Sequence, residues 1–114
     1  LELDRELLKG HIDTIILALL SEKNSYGYEL AKRVRERSRN LFELKEGTMY
    51  VALKRLEKKG FVESYWGTDD ESEGGRRKYY RILPPGMEQY RIKKKEWETI
   101  STIMKCFFEG VTPE

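Results

Sequence analysis

Very little in this sequence could hold a metal ion or form a covalent cross-link. Cys106 is the only cysteine and His11 the only histidine among 114 residues. That excludes an internal disulfide and a cysteine-based zinc site, and neither a metal ion nor any other cofactor is expected. No apolar run is long enough to cross a bilayer; Ile15 to Leu20 is strongly apolar, but charged residues flank it closely. No secretory signal is visible. A cytoplasmic, reducing setting without a membrane partner is the expectation. The parts of a catalytic centre are missing too. There is no nucleophile–base–orienter set, no phosphate-cradling glycine loop and no carboxylate pair placed for acid–base work, so an enzyme is not expected.

Net charge is also small, at +2, but it averages unlike segments. Between Tyr26 and Lys59 stand ten cations against five acids, a local excess of the kind that nucleic acid attracts. Asp69, Asp70, Glu71 and Glu73 then form an acidic cluster that partly cancels it. The length is one domain's worth. With 37% charged and 39% hydrophobic residues, much of the chain must be surface. A small chain of this kind often completes its core by oligomerising.

What is present is organised around Lys45 to Gly60. Met49, Ala52, Leu53 and Leu56 fall on one helical face. The opposite face carries Thr48, Tyr50, Val51, Lys54, Arg55 and Lys58, a surface of hydroxyls, a phenol and long cations suited to a duplex groove. Taken alone, it reads first as an ordinary amphipathic helix with a solvated basic face.

Its neighbours sharpen the reading. Asp4 to Ser21 reads as a first helix, so broadly apolar in its second half that it hints at an interface as well as a core. A second helix spans about Tyr26 to Ser38, with Gly27 in its first turn, where close approach of a helix or a phosphate would account for it. Leu41, Phe42 and Leu44 form an apolar connector expected to plug the base of the domain. Residues 61–67 and 77–83 are two β-prone runs around a long glycine-containing loop, a hairpin with basic residues where its tip meets the second strand. From Pro84 to Glu109 runs the longest helix. There Trp97, Ile100, Met104 and Phe107 repeat as a coiled-coil seam, for which a second copy of the chain is the natural partner.

Helix, turn, helix and hairpin is the order of a winged helix-turn-helix DNA-binding domain. The fold expected is mainly α with a small β-hairpin (α+β). A DNA-binding domain over residues 1–83, with its wing at 61–83, is followed by a dimerisation helix at 84–109 and a tail at 110–114.

Three stretches carry a family resemblance: Tyr26-Gly27-Tyr28-Glu29-Leu30, the run from Glu46 to Glu57, and Gly74-Gly75-Arg76-Arg77-Lys78-Tyr79-Tyr80. In this order and spacing the chain resembles the PadR family of bacterial transcriptional repressors, in its short-C-terminus branch, over nearly all its length. Two departures stand out. Many members have proline where this chain has Val51, and a threonine or serine N-cap near Leu83. The resemblance implies a homodimer presenting two recognition helices and two wings to a pseudo-palindromic operator on double-stranded DNA. It also implies, from the multidrug-sensing members, a planar aromatic effector between Trp97 and its symmetry mate.

The candidate DNA contacts are Gly47 and Thr48 at a helix N-terminus, Tyr50 and Lys54 one turn apart on the exposed face, and Arg77 and Lys78 as phosphate clamps on the wing. Plain helix initiation for the first two, and pairing with the acidic loop for the last two, are the competing readings. For the effector, Trp97, Ser101 and Met104 share a helix face with Tyr90 two turns earlier. Plain packing of Trp97 in the dimer seam competes with that role. His11 and Cys106 read as structural or solvent-facing. The rival functions are a protein-interaction adaptor and a DNA-binding protein without sequence preference.

Overall fold

The computed structural model describes residues 5–67 and 76–110. Five helices and three strands follow in the order α1 (Arg5–Lys9), α2 (Ile12–Glu22), β1 (Ser25–Tyr26), α3 (Gly27–Arg37), α4 (Glu46–Lys58), β2 (Val62–Trp66), β3 (Lys78–Ile82) and α5 (Pro84–Phe108). The architecture is mainly helical with one small antiparallel sheet, a winged helix.

The expected first helix is broken. Gly10 and His11 form a turn closed by the His11 N–H donating to the Leu8 carbonyl at 2.8 Å, and a new helix starts at Ile12. Apolar spacing runs across the break unchanged, which is why periodicity alone joined the two pieces. The broad apolar surface of α2 is used within the chain. Ile12, Ile16, Leu17, Leu19 and Leu20 are all buried, against α3, α4, β3 and the start of α5. Its breadth therefore reflects a central position in the core.

Met49, Ala52, Leu53 and Leu56 bury the inner face of α4, as the period predicts, and meet Leu30 and Val34 from α3. Burying a leucine or methionine contributes roughly 1.5–3 kcal/mol each, so this seam holds the helix pair together. The connector does less than expected of it. Leu44 is buried and Phe42 packs against the core, but Leu41 is 70% exposed. Arg39 and Asn40 take left-handed backbone conformations (φ 53° and 64°), and that turn swings Leu41 outward.

The sheet has a strand that sequence pattern missed. Its order is β1-β3-β2, with Ser25 opposite Tyr80 and Tyr26 opposite Tyr79. β2 and β3 pair from Val62–Ile82 to Trp66–Lys78. Side chains alternate, so Val62 and Tyr80 enter the core while Tyr26, Tyr65 and Tyr79 occupy the outer face.

Ser25 is fully buried, and its hydroxyl accepts from Arg33 Nη1 at 2.8 Å. The same guanidinium donates through Nη2 to the Leu19 carbonyl at 2.9 Å, tying α2, β1 and α3 together. On the rim beside it, Arg37 donates to Glu22 at 2.5 Å, and that hydrogen bond holds the Glu22 carboxyl below the usual carboxylate range.

α5 begins against the sheet. Leu83 stands at its N-cap without a side-chain cap, and Pro84 and Pro85 fill the first turn, where a missing N–H costs nothing. Gly86 is buried, and only a glycine fits there, because a Cβ would run into the Phe61 carbonyl oxygen and lie 2.9 Å from Ile82 Cγ1. The helix then leaves the core. From Arg91 to Gly110 every residue except half-buried Ser101 and Cys106 is exposed.

Candidate nucleic-acid interface

α4 is positioned from beneath by its buried seam and from the side by an ion pair. Arg55 donates from both Nε (3.1 Å) and Nη2 to the two carboxylate oxygens of Asp13 on α2. This fork geometry raises the arginine's already high pKa, chiefly through the hydrogen bond. Arg55, counted on the exposed face from sequence, is therefore a brace for the helix. No spacing rule links residues 42 apart.

What remains on the outer face is Gly47, Thr48, Tyr50, Val51, Lys54 and Lys58, all exposed. Lys45 is the N-cap and makes no side-chain cap bond, so the backbone N–H groups of the first turn lack an intrahelical acceptor. Gly47 and Thr48 lie in that turn. Tyr50 and Lys54 follow one turn apart, as their spacing predicts. Lys54 forms no ion pair among the described residues. Tyr50 leans back toward α3, and a Cβ on Gly27 would overlap the phenol, falling 2.7 Å from Cζ. The helix approach expected at Gly27 is thus the side chain of Tyr50.

Burial pushes the Tyr80 phenol above its usual pKa, and Glu57 and Tyr50 add to the effect. Glu57 meanwhile accepts from Ser64 Oγ at 3.3 Å, linking the end of α4 to β2.

On the wing, Arg77 precedes β3, and its carbonyl accepts from the Gly67 N–H at 2.8 Å. Its guanidinium sits 4.5 Å from the centre of the Tyr26 ring. Tyr26 meets Tyr79 edge-on at 5.3 Å, and Tyr79 stacks on Tyr65 at 5.6 Å. Arg81, 4.7 Å over Tyr65, closes the row and pairs with Glu63 at 2.5 Å. The outer face of the sheet is thus three tyrosines between two arginines. Sequence reading named Arg77 but not the aromatic seat beneath it; alternation along β3 could have found Tyr79 and Arg81, but not Tyr26. Lys78 is exposed, with Nζ 5.9 Å from the Tyr80 ring centre. The acidic cluster at 69–73, and with it the competing pairing for Arg77 and Lys78, lies outside the described residues.

The four residues considered for an effector divide in place. Tyr90 packs against the core, whereas Trp97 and Met104 are exposed along α5 with half-buried Ser101 between them. His11 is exposed and Cys106 half-buried. Among the described residues no group of acidic, histidine or cysteine side chains could hold a metal ion, and no helix is long and apolar enough to cross a membrane.

A helix pair braced by a buried seam, with a three-stranded wing beside the second helix, defines the winged helix-turn-helix class. The match to known proteins narrows this further. Residues 16–92 match the Transcriptional regulator PadR-like family, and the chain belongs to that family. It is 43% identical to a transcriptional regulator from Clostridium thermocellum, covering 92% of this chain and 97% of that one with a TM-score of 0.82. A PadR family transcription regulator from Clostridium difficile R20291 is 49% identical over 86% of this chain and 98% of its own, with a TM-score of 0.75. A PadR-like transcriptional regulator from Bacillus cereus strain ATCC 14579 is 31% identical, covering 93% and 99%, with a TM-score of 0.80. These relatives are transcriptional regulators, and membership of the family implies DNA as the partner.

Proposed function

We propose that this transcriptional regulator is a repressor that binds a pseudo-palindromic operator as a homodimer in the cytoplasm. Release by a small planar, largely apolar aromatic compound completes the reading. Residues 1–83 serve as the DNA-binding domain, with the wing at 61–83; residues 84–109 serve as the dimerisation helix, with a short tail at 110–114.

The observation that carries the reading is the outer face of α4. Arg55 is paired with Asp13 and braces the helix, while Tyr50 and Lys54, which forms no ion pair among the described residues, stand exposed beside the exposed first turn. In this reading Tyr50 and Lys54 meet base edges, Gly47 and Thr48 meet a phosphate at the helix N-terminus, and Arg77 and Lys78 clamp the backbone. The test is a footprint on the promoter of its own gene, repeated across salt concentrations. Two protected half-sites about one helical turn apart are expected. Retention on any duplex without a preferred site would point to binding without sequence preference. Loss of all salt-dependent retention would point to a protein-interaction adaptor.

Arg77→Ala is expected to weaken binding to all duplexes alike and to lower the salt slope by about 1, since one phosphate contact is removed. Titration by fluorescence anisotropy at several salt concentrations checks it. A loss confined to the preferred site would contradict a clamp that touches only the backbone.

The effector is assigned to Trp97 with its symmetry mate, with Tyr90, Ser101 and Met104 near the rim. Stacking contributes roughly 0.5–1.5 kcal/mol per aromatic pair beyond area burial, so two indoles and the buried surface are compatible with micromolar binding. Planar aromatic dyes should quench tryptophan fluorescence in the native protein and lose that quench in Trp97→Ala. Trp66 also emits, being exposed on the wing, so only the part lost in the variant counts. A quench that persists without Trp97, or none from any dye, leaves a repressor with a purely structural seam.

A further inference from the structure

The adjacent residues Tyr26 and Gly27, at the start of α3, each touch a group assigned above to DNA. The geometry points to this pair as the alignment point of the interface: Gly27 seats Tyr50 of the recognition helix, and Tyr26 seats Arg77 of the wing. Both act as positioning residues. The inference rests on the proposed DNA contacts and adds what fixes their geometry.

For Gly27, conformation is not the reason for a glycine. Among the described glycines the positive φ values belong to Gly60 and Gly110, whereas Gly27 forms the first residue of an ordinary helix. Any L-residue could adopt that backbone. What a side chain could not have is the space, because the Tyr50 phenol fills it, with Cζ 2.7 Å and Cε1 3.1 Å from where a Cβ would lie. Tyr50 is nevertheless 42% exposed, so one side of the ring is seated while the other faces outward. A phenol has two side-chain torsions, and a seat against a helix backbone selects among them. Contacts to a groove depend on that selection.

For Tyr26, the backbone is still extended (φ −94°, ψ 167°), since it is the N-cap of α3 and pairs with Tyr79 across the sheet. The switch from strand to helix between 26 and 27 sends the two residues to different partners. The ring of Tyr26 is held edge-on by Tyr79 and lies under the Arg77 guanidinium at 4.5 Å. A cation over a ring keeps its N–H edge available for phosphate oxygens while losing rotational freedom in advance of binding. One point in the backbone therefore registers the helix contact and the wing contact relative to each other.

The test uses the full chain, its footprinted promoter duplex and a scrambled duplex of equal length. In Gly27→Ala the new methyl meets the far end of a flexible side chain, so the fold should persist and thermal unfolding should move little. Affinity for the promoter duplex should fall about tenfold, with less change on the scrambled one. In a Tyr50→Ala background the same substitution should add almost nothing. Tyr26→Leu should weaken both duplexes alike, by less than Arg77→Ala does because the cation remains, while Tyr26→Phe, which keeps the ring, should bind as the native protein does. Tyr26→Met replaces Tyr26→Leu if the latter fails to fold.

Additive losses for Gly27→Ala and Tyr50→Ala would overturn the proposal. So would Tyr26→Phe falling as far as Tyr26→Leu, because the hydroxyl would then be a direct contact. If Tyr50→Ala and Arg77→Ala both left binding unchanged, the DNA contacts themselves would be misassigned, and the alignment point would fall with them.

Discussion

Replacing Phe107 with glutamate is expected to turn the proposed homodimer into a monomer and to lower operator affinity by a factor on the order of 10²–10⁴. The argument starts from exposure. Phe107 and Phe108 are 79% and 77% exposed in the single chain, and Trp97, Ile100, Ile103 and Met104 lie open on the same distal half of α5. Apolar surface of this extent marks an interaction face. Helical spacing makes 97, 100, 104 and 107 a continuous seam, as a pairing helix would require. A carboxylate buried there without a partner would cost about 3–5 kcal/mol, enough to separate the protomers. Each protomer would then hold a single half-site, and the gain of roughly 10²–10⁴ from linking two binding events would be lost.

The winged-helix core should survive that separation. Its buried residues, from Ile12 of α2 to Tyr80 of β3, all come from one chain. Hydrogen exchange should therefore show loss of protection confined to α5 beyond about residue 92, with α2 and α4 still protected. Sedimentation equilibrium gives the mass and anisotropy gives the affinity. A native protein that sediments as a folded monomer at micromolar concentration would sink the dimer reading; unfolding of the whole chain in Phe107→Glu would show that the core depends on its mate.

The parts of the fold that were legible in sequence are those in which burial repeats at a helical period. Met49, Ala52, Leu53 and Leu56 announce both the position and the orientation of α4, and the observed Glu46–Lys58 lies just inside the expected bounds. α5 was legible for the same reason, with Pro84 marking its start. The features that were not legible are set by tertiary partners. β1 is only two residues long, and its buried residue is a serine stabilised by Arg33, so no apolar alternation announces it. The break at Gly10 leaves the apolar spacing intact. Arg55 looks like any exposed cation until Asp13, 42 positions earlier, is folded beside it.

At the interface the same division holds. Which side of α4 faces outward follows from its inner seam, so Tyr50 and Lys54 could be named from sequence. The seats beneath the contacts could not. Gly27 under Tyr50 and Tyr26 under Arg77 are meetings between separate elements. A glycine in a helix's first turn was the one visible sign that something close had to be accommodated there.

Two consecutive residues of α4 should separate stability from binding. Leu53 is fully buried in the core, whereas Lys54 is exposed and forms no ion pair among the described residues. Leu53→Ala should lower unfolding free energy by about 2–5 kcal/mol, the combined loss of transfer energy and the cavity left behind. The scale of that loss is large against a total stability of about 5–15 kcal/mol for a domain. What remains folded should still bind the operator, because the outer face is unchanged. Lys54→Ala should do the reverse. Its stability should stay within about 0.5 kcal/mol of the native value, as for other surface substitutions. Operator binding should weaken by about 1–3 kcal/mol if the ammonium reads a base edge, and the loss should be greater on the operator than on a scrambled duplex. Urea unfolding followed by circular dichroism gives the first quantity, and anisotropy titration at one fixed salt concentration gives the second. Equal loss on both duplexes would make Lys54 a phosphate contact, and α4 would then lie along the backbone at that point. No loss on either would remove this turn of α4 from the groove, leaving the contacts to its first turn and to the wing.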